Sequence, residues 1–347
     1  MLRLWIARTL AVVAMASLAA CGSAALPPSG PAESARSTRI ALVRDPLNLA
    51  DLWISDVDGA QGQLLASHVS GPVCASAADQ LVYTTVDQAG VAQLQQLDLT
   101  TAVSATLVSD PEAAFVQPTC NREQVVYVRR SYDLVDDEPS QAVVWRTPIE
   151  RPEASVLHGD SSSGALNPRW SPDGSALAFE ILDEEILAIM QADGVLRRLD
   201  INGTYDWSPD SRKLLVATLA SPAAPSQLIT LDRTTGTTAT LLTAPAADLY
   251  DPRWSPDGAT IAFVQRPHAS GRGEIMQMAA SANASAQALT SDPAFDNFDP
   301  QWAPDSSALL WTRKDAAETR YAVWTLELPA AEPRLVAENA WWGRWLP

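Results

Sequence analysis

Beyond residue 38 the apolar positions come in short runs, each bounded by turn-forming residues. Ala176–Phe179, Leu214–Ala217, Ala259–Val264 and Leu309–Thr312 are such runs. Each is followed by another, at Ile186–Gln191, Gln227–Asp232, Glu274–Met278 and Tyr321–Leu326, and then by a shorter one such as Thr240–Thr243 or Arg334–Ala337. Runs this short and this regularly spaced predict β-strands rather than helices. A turn precedes the first run of each set. In Asp251-Pro252-Arg253-Trp254-Ser255-Pro256-Asp257-Gly258 a short strand ends at the Trp and Ser-Pro-Asp-Gly reverses the chain. Pro presets φ at the second turn position, and Gly accepts the left-handed conformation that closes the turn.

This unit recurs. Pro168-Arg169-Trp170-Ser171-Pro172-Asp173-Gly174, Tyr205-Asp206-Trp207-Ser208-Pro209-Asp210-Ser211 and Pro300-Gln301-Trp302-Ala303-Pro304-Asp305-Ser306 are clear copies. Pro72-Val73-Cys74 running to Tyr83, and Pro118-Thr119-Cys120 with Gln124–Tyr127, are degenerate ones in which Cys replaces Trp. Four short strands per repeat is the pattern of a propeller blade. Gly343-Arg344-Trp345-Leu346-Pro347 reads as an opening strand with nothing after it. Ile40–Arg44, Asp51–Val57 and Gln63–Ala66 read as three strands lacking an opening one. Joining the two ends in one blade removes two exposed sheet edges. The anchor positions 74, 120, 170, 207, 254, 302 and 345 then predict an all-β chain: a single β-propeller of seven four-stranded blades, closed by its N- and C-terminal strands.

The Trp-Ser-Pro-Asp-Gly repeats at Trp170, Trp207, Trp254 and Trp302 resemble the propeller repeats of the TolB protein family (the WD40-like, or PD40, type). With the weak copies they cover residues 39–347. The resemblance implies the propeller and leaves the activity open, because many functions share one fold. That family's type member carries a further domain ahead of its propeller, and its TolA-contacting segment has no counterpart in these residues.

The chain begins differently. Arg3 and Arg8 precede an apolar run, Leu10–Ala20, that ends at Leu18-Ala19-Ala20-Cys21. This has the form of a secretory signal, and its ending resembles the bacterial lipoprotein signal. The reading is a signal peptide over 1–20, lipidation at Cys21, and a small-residue, Pro-containing tether over 21–38. It predicts an exported bacterial lipoprotein, anchored to a membrane of the cell envelope on the extracytoplasmic side through lipid alone. The formal net charge is −17, and Lys213 and Lys314 are the only lysines. That excludes nucleic acid as a partner, since phosphate binding needs basic clusters.

Candidate chemistry is sparse. Asp173, Asp210, Asp257 and Asp305 fall once per turn, which suits turn stabilisation better than one converged site. The repeated Trp residues suit packing between sheets, and Trp341 and Trp342 suit sealing the closing blade. Cys74 and Cys120, at equivalent places in neighbouring repeats, fit either a disulfide or two buried thiols. His68, His158 and His268, in loops or at strand ends, have no zinc spacing and read as surface histidines. The acidic stretches Asp133–Glu138 and Asp292–Asp299 read as solvated loops. No nucleophile elbow or phosphate-binding Gly loop is present, and no catalytic residue, metal or cofactor is expected. Arg130–Gln141 and Arg266–Arg272 read as partner-facing loops. One polar set converges by fold geometry, since the opening strands ring the central channel. It comprises Asn167, Arg169, Asp206, Asp251, Arg253, Asp299, Gln301 and Arg344. These are the candidate ligand-binding residues, for a protein partner in the envelope or, alternatively, a small ligand, sugar, glycan or peptide substrate at the channel mouth.

Overall fold

The computed structural model describes residues 39–346, apart from 45–49, 60–61, 72, 132–141, 160–163, 222–223, 283, 316–319 and 330–331. The leader, Cys21 and the tether therefore lie outside the described residues, as do Asp133–Glu138. Every described element is a β-strand. Five separate four-stranded sheets and one eight-stranded sheet account for them. The larger sheet is two blades joined by a single pairing, Val69 with Thr85. The total is seven four-stranded blades, numbered here from the closing one.

Blade 1 has its innermost strand, Ala340–Trp345, from the C-terminus and its other three, beginning with Arg39–Arg44, from the N-terminus. The closure is antiparallel and pairs Ile40 with Trp345 and Leu42 with Gly343. A Cβ on Gly343 would sit 2.8 Å from Leu310 Cδ2 and 3.0 Å from Val323 Cγ1, so any larger residue would have to push these side chains aside where the strand lies against blade 7. Blades 2 to 7 open with Cys74–Ala77, Ala113–Cys120, Ala165–Trp170, Gly203–Trp207, Ala247–Trp254 and Phe295–Trp302.

The second strand of each blade is nearly all apolar because both of its faces are buried. In blade 6, Ile261 and Phe263 pack with Leu215 and Leu228 of blade 5. The intervening Ala262 and Val264 pack with Leu309 and Trp311 of blade 7. The core is correspondingly divided into seven hydrophobic clusters, one for each blade interface. The interface between blades 7 and 1, with Leu310 and Val323 against Ile40, Leu42 and Trp345, completes the circuit. Between blades 2 and 3, Cys74 and Cys120 form a disulfide with Cα atoms 5.8 Å apart, which decides between the two readings of that pair.

The Ser-Pro-Asp-Gly turns are built alike. Ser171 Oγ donates to Asp173 Oδ1 at 2.6 Å and accepts from Ala176 N at 3.0 Å, while Ser175 N donates to the same carboxylate oxygen at 3.0 Å. Ser208–Asp210 and Ser255–Asp257 repeat the Ser-to-Asp bond at 2.6 and 2.5 Å. These aspartates are held in their own turns. Burial alone would raise the Asp173 pKa, but Ser171, Ser175 and Arg233 outweigh it and hold the carboxyl down to about 2.

Two expectations need correction. Phe295–Asp299 is not loop but the first part of an innermost strand. Its backbone is recruited by the ring, and Asp296 Oδ1 accepts from Gly273 N at 2.6 Å. His158 stands at a strand end, as expected, but is half-buried and not a surface residue, with its ring 4.8 Å from Phe179. His68 lies at the end of the strand Gln63–Val69, in keeping with that placement, with φ at 63°.

Candidate functional site

The innermost strands carry a repeated irregularity. Gln117, Asn167, Asp251 and Asp299 all adopt left-handed backbone, with φ between 45° and 53°. Each precedes a proline, and at each the pairing register with the second strand shifts. These are β-bulges. Proline has no N–H to lose from the ladder, and Asn and Asp tolerate the left-handed region better than most residues. The bulge aims one side chain along the ring instead of across the sheet.

What that side chain does is specific. Gln117 Oε1 accepts from the backbone N of Asn167 at 2.8 Å, and Asp251 Oδ2 accepts from the N of Asp299 at 3.4 Å. In blade 5, Thr204 holds the equivalent place without a bulge, and its Oγ1 accepts from Asp251 N at 2.9 Å. Each bond ties a blade to the next. A second set of bonds runs beside it. The indole N–H of Trp207 donates to Arg169 O at 3.0 Å, that of Trp302 to Arg253 O at 3.2 Å, and that of Trp345 to Gln301 O at 3.2 Å. Trp207, Trp302 and Trp345 are thus interblade latches as well as packing surface, whereas the indole N–H groups of Trp170 and Trp254 are buried without a partner among the described residues. Trp342 is buried and Trp341 packs beside it, so this pair seals the closing blade.

These motif positions recur once per blade across residues 153–339, the stretch matched by the model of the TolB β-propeller domain. That is more than half of the 347 residues. The chain belongs to the TolB β-propeller domain family.

Solved structures agree on the fold. TolB from Acinetobacter baumannii is 18% identical with a TM-score of 0.50 over 74% of this chain, and this chain spans 64% of that one. Oligogalacturonate lyase from Vibrio parahaemolyticus is 15% identical with a TM-score of 0.64, covering 85% of this chain and 88% of that one. The β-propeller domain of the Trilobed protease from Pyrococcus furiosus, described as having an open velcro topology, is 10% identical with a TM-score of 0.62, covering 88% and 94%. At these identities the likeness is one of fold alone. No curated protein matches the chain.

Within this TolB-type ring the residues just before the Trp or Cys position form one level: Arg344, Val73, Thr119, Arg169, Asp206, Arg253 and Gln301 in blades 1 to 7. Two residues earlier comes a second level, with Trp342, Gly71, Gln117, Asn167, Thr204, Asp251 and Asp299. All charge lies on blades 4 to 7 and 1. The disulfide-linked blades 2 and 3 contribute none.

The charged groups feel one another. Arg253 is 6% exposed; its Nη2 donates to Asp299 Oδ1 at 2.9 Å and its Nη1 to Pro252 O at 3.0 Å. Burial pulls its pKa down, but Asp299, Asp206 and Asp251 together hold it above the ordinary value. Burial raises the carboxyls of Asp206 and Asp251, against the attraction of Arg253 and Arg169. Burial, then the Arg253 charge, lowers Arg169; burial, then the Arg169 charge, lowers Arg344. Yet the Arg169 side chain is 38% accessible and Arg344 is exposed. Both facts hold for side chains in a narrow channel, which water reaches although protein surrounds it.

The eight candidate residues do not share one state. Asn167 is spent on Gln117 and on Glu180, to which its Nδ2 donates at 2.8 Å. Asp206 accepts from Trp254 N at 2.9 Å, Asp251 from Asp299 N, and Asp299 from both Arg253 and Gln301. Arg169 has only Asp206 at 3.9 Å, with the Tyr205 ring 6.0 Å from its guanidinium carbon. The Arg344 side chain has no hydrogen bond or ion pair among the described residues. Gln117, Thr204 and Glu180 escaped the sequence reading. A polar residue before proline, three ahead of the Trp or Cys, was the available signal for Gln117. Among the described residues no three His, Cys, Asp or Glu side chains group as a metal site.

Proposed function

We propose that this chain is a non-enzymatic lipoprotein of the bacterial cell envelope that uses its propeller to bind a protein partner at the channel mouth. The observation that carries the reading is the division of the polar ring. Its carboxylates are committed to backbone N–H groups and to Arg253, while Arg169 and Arg344 remain open to solvent. A rigid ring with unspent cations on its wall suits recognition. The signal-like leader and Cys21 supply the anchoring part of the proposal, with residues 21–38 as the tether.

A second reading, an enzyme acting on a glycan or peptide, has one observation in its favour: the raised carboxyls of Asp206 and Asp251. Against it, each already accepts a backbone hydrogen bond. The test is a pull-down from envelope membranes with the lipidated chain. Wild type should recover a specific protein that Arg169→Gln/Arg344→Gln does not, and Cys21→Ser should leave the membrane fraction. Recovering no specific partner, while a soluble ligand raises the melting temperature, would count against protein binding.

A further inference from the structure

We propose that the channel takes up a single carboxylate group, held between Arg169 and Arg344. The inference rests on the ring being the binding site and adds the chemistry of what enters it. Three arginines occupy one level of the channel, and the local carboxylates compensate only one of them fully. Arg253 has Asp299 within 2.9 Å. Arg169 stands 3.9 Å from Asp206, whose other oxygen is engaged by Trp254 N. Arg344 has no side-chain partner among the described residues. Arg344 feels the Arg169 charge, and both side chains are accessible, so two guanidinium groups with one distant carboxylate between them leave room for an added anion.

The surroundings select the anion. Asp206, Asp251 and Asp299 lie within the same ring, and the whole chain is at −17. A dianion such as phosphate monoester would meet three carboxylates as well as two cations. A carboxylate carries one charge and two coplanar acceptor oxygens, which match the guanidinium fork. Blades 2 and 3, which lie between those of Arg344 and Arg169, carry no charged residue at either level, so the body attached to the carboxylate meets an uncharged arc there. A peptide C-terminus and a sugar acid both fit that description.

The test uses the full lipidated chain in detergent micelles and measures affinity by calorimetry and thermal shift. The probes are N-acetyl-tetraalanine as the free acid and as the amide, and glucuronate and its methyl ester. A free acid should bind and its neutral counterpart should not. Binding by the peptide acid alone assigns a chain terminus, and by glucuronate alone a sugar acid. Arg344→Gln and Arg169→Gln should each weaken the binding by about tenfold or more, since a charge-assisted bond is lost. The unliganded Arg344→Gln variant should melt no lower than wild type, because that substitution removes a like-charge neighbour of Arg169 and breaks no side-chain hydrogen bond or ion pair among the described residues. Equal binding of acid and neutral probes, no binding by either acid, or undiminished binding by both variants would overturn the proposal. A membrane partner retained in the presence of excess bound acid would overturn it while sparing the binding module. Carboxylate binding with no protein partner would do the reverse.

Discussion

Arg253 and Arg344 stand at the same register position of their blades and meet opposite fates. Arg253 is locked between Asp299 and the Pro252 carbonyl, with its Nε buried and unpaired. Arg344 reaches into the channel alone. Removing the partner of a buried charge costs more than the pair contributes, because the charge that remains is desolvated. Asp299→Ala should therefore destabilise the propeller by about 3 kcal/mol, read by urea unfolding, with Gln301 losing its acceptor at the same time. The positions of such residues were legible in the sequence, since they fall at a fixed distance before each Trp. Their commitments were not. The bond from Asp251 to Asp299 N spans 48 residues, and no local pattern says which of two identical-looking carboxylates will be so used.

At the scale of the strand and turn, legibility followed chemistry. Turns with Ser-Pro-Asp-Gly announced themselves because their Pro, Asp and Gly are chosen by backbone conformation. The bulges did not, because Asp-Pro and Asn-Pro are common in ordinary turns, and only the tertiary fit shows that the chain continues as a strand. The last strand of blade 6, Gln287–Ala288, is two residues long, too short for any periodicity. Blades 2 and 3 lack the turn motif and have the disulfide instead, joining positions 46 residues apart. Cys74→Ala/Cys120→Ala should lower stability by about 2–4 kcal/mol through the freed unfolded chain. Wild type treated with reductant should unfold at the same denaturant concentration as the double variant. An unchanged midpoint in both would show that packing among Val82, Phe115, Val125 and Tyr127 suffices at that interface.

For the whole molecule, all seven interfaces are packed by alternate residues of doubly buried strands; three add an indole donating across to a carbonyl, and three add a side chain that receives the next blade's backbone N–H. The closing strand contributes to two of them. Without Ala340–Trp345, blade 7 loses its neighbour and Arg39–Arg44 becomes an open edge. A chain ending at residue 339 should consequently unfold at a lower temperature and form larger species in size-exclusion chromatography. Full-length protein under the same conditions should elute as one folded species.

That closure also sets an order of events. Ribosomes deliver a chain from its N-terminus, and domains ordinarily begin to fold as they emerge. Here the earliest strands wait for the latest, since Arg39–Arg44 finds its partner only when residues 340–345 have arrived. A chain cut short by stalled synthesis or by a protease would keep the unpaired edge. The ring joint thus acts as a check on completeness, passed only by molecules that carry both ends.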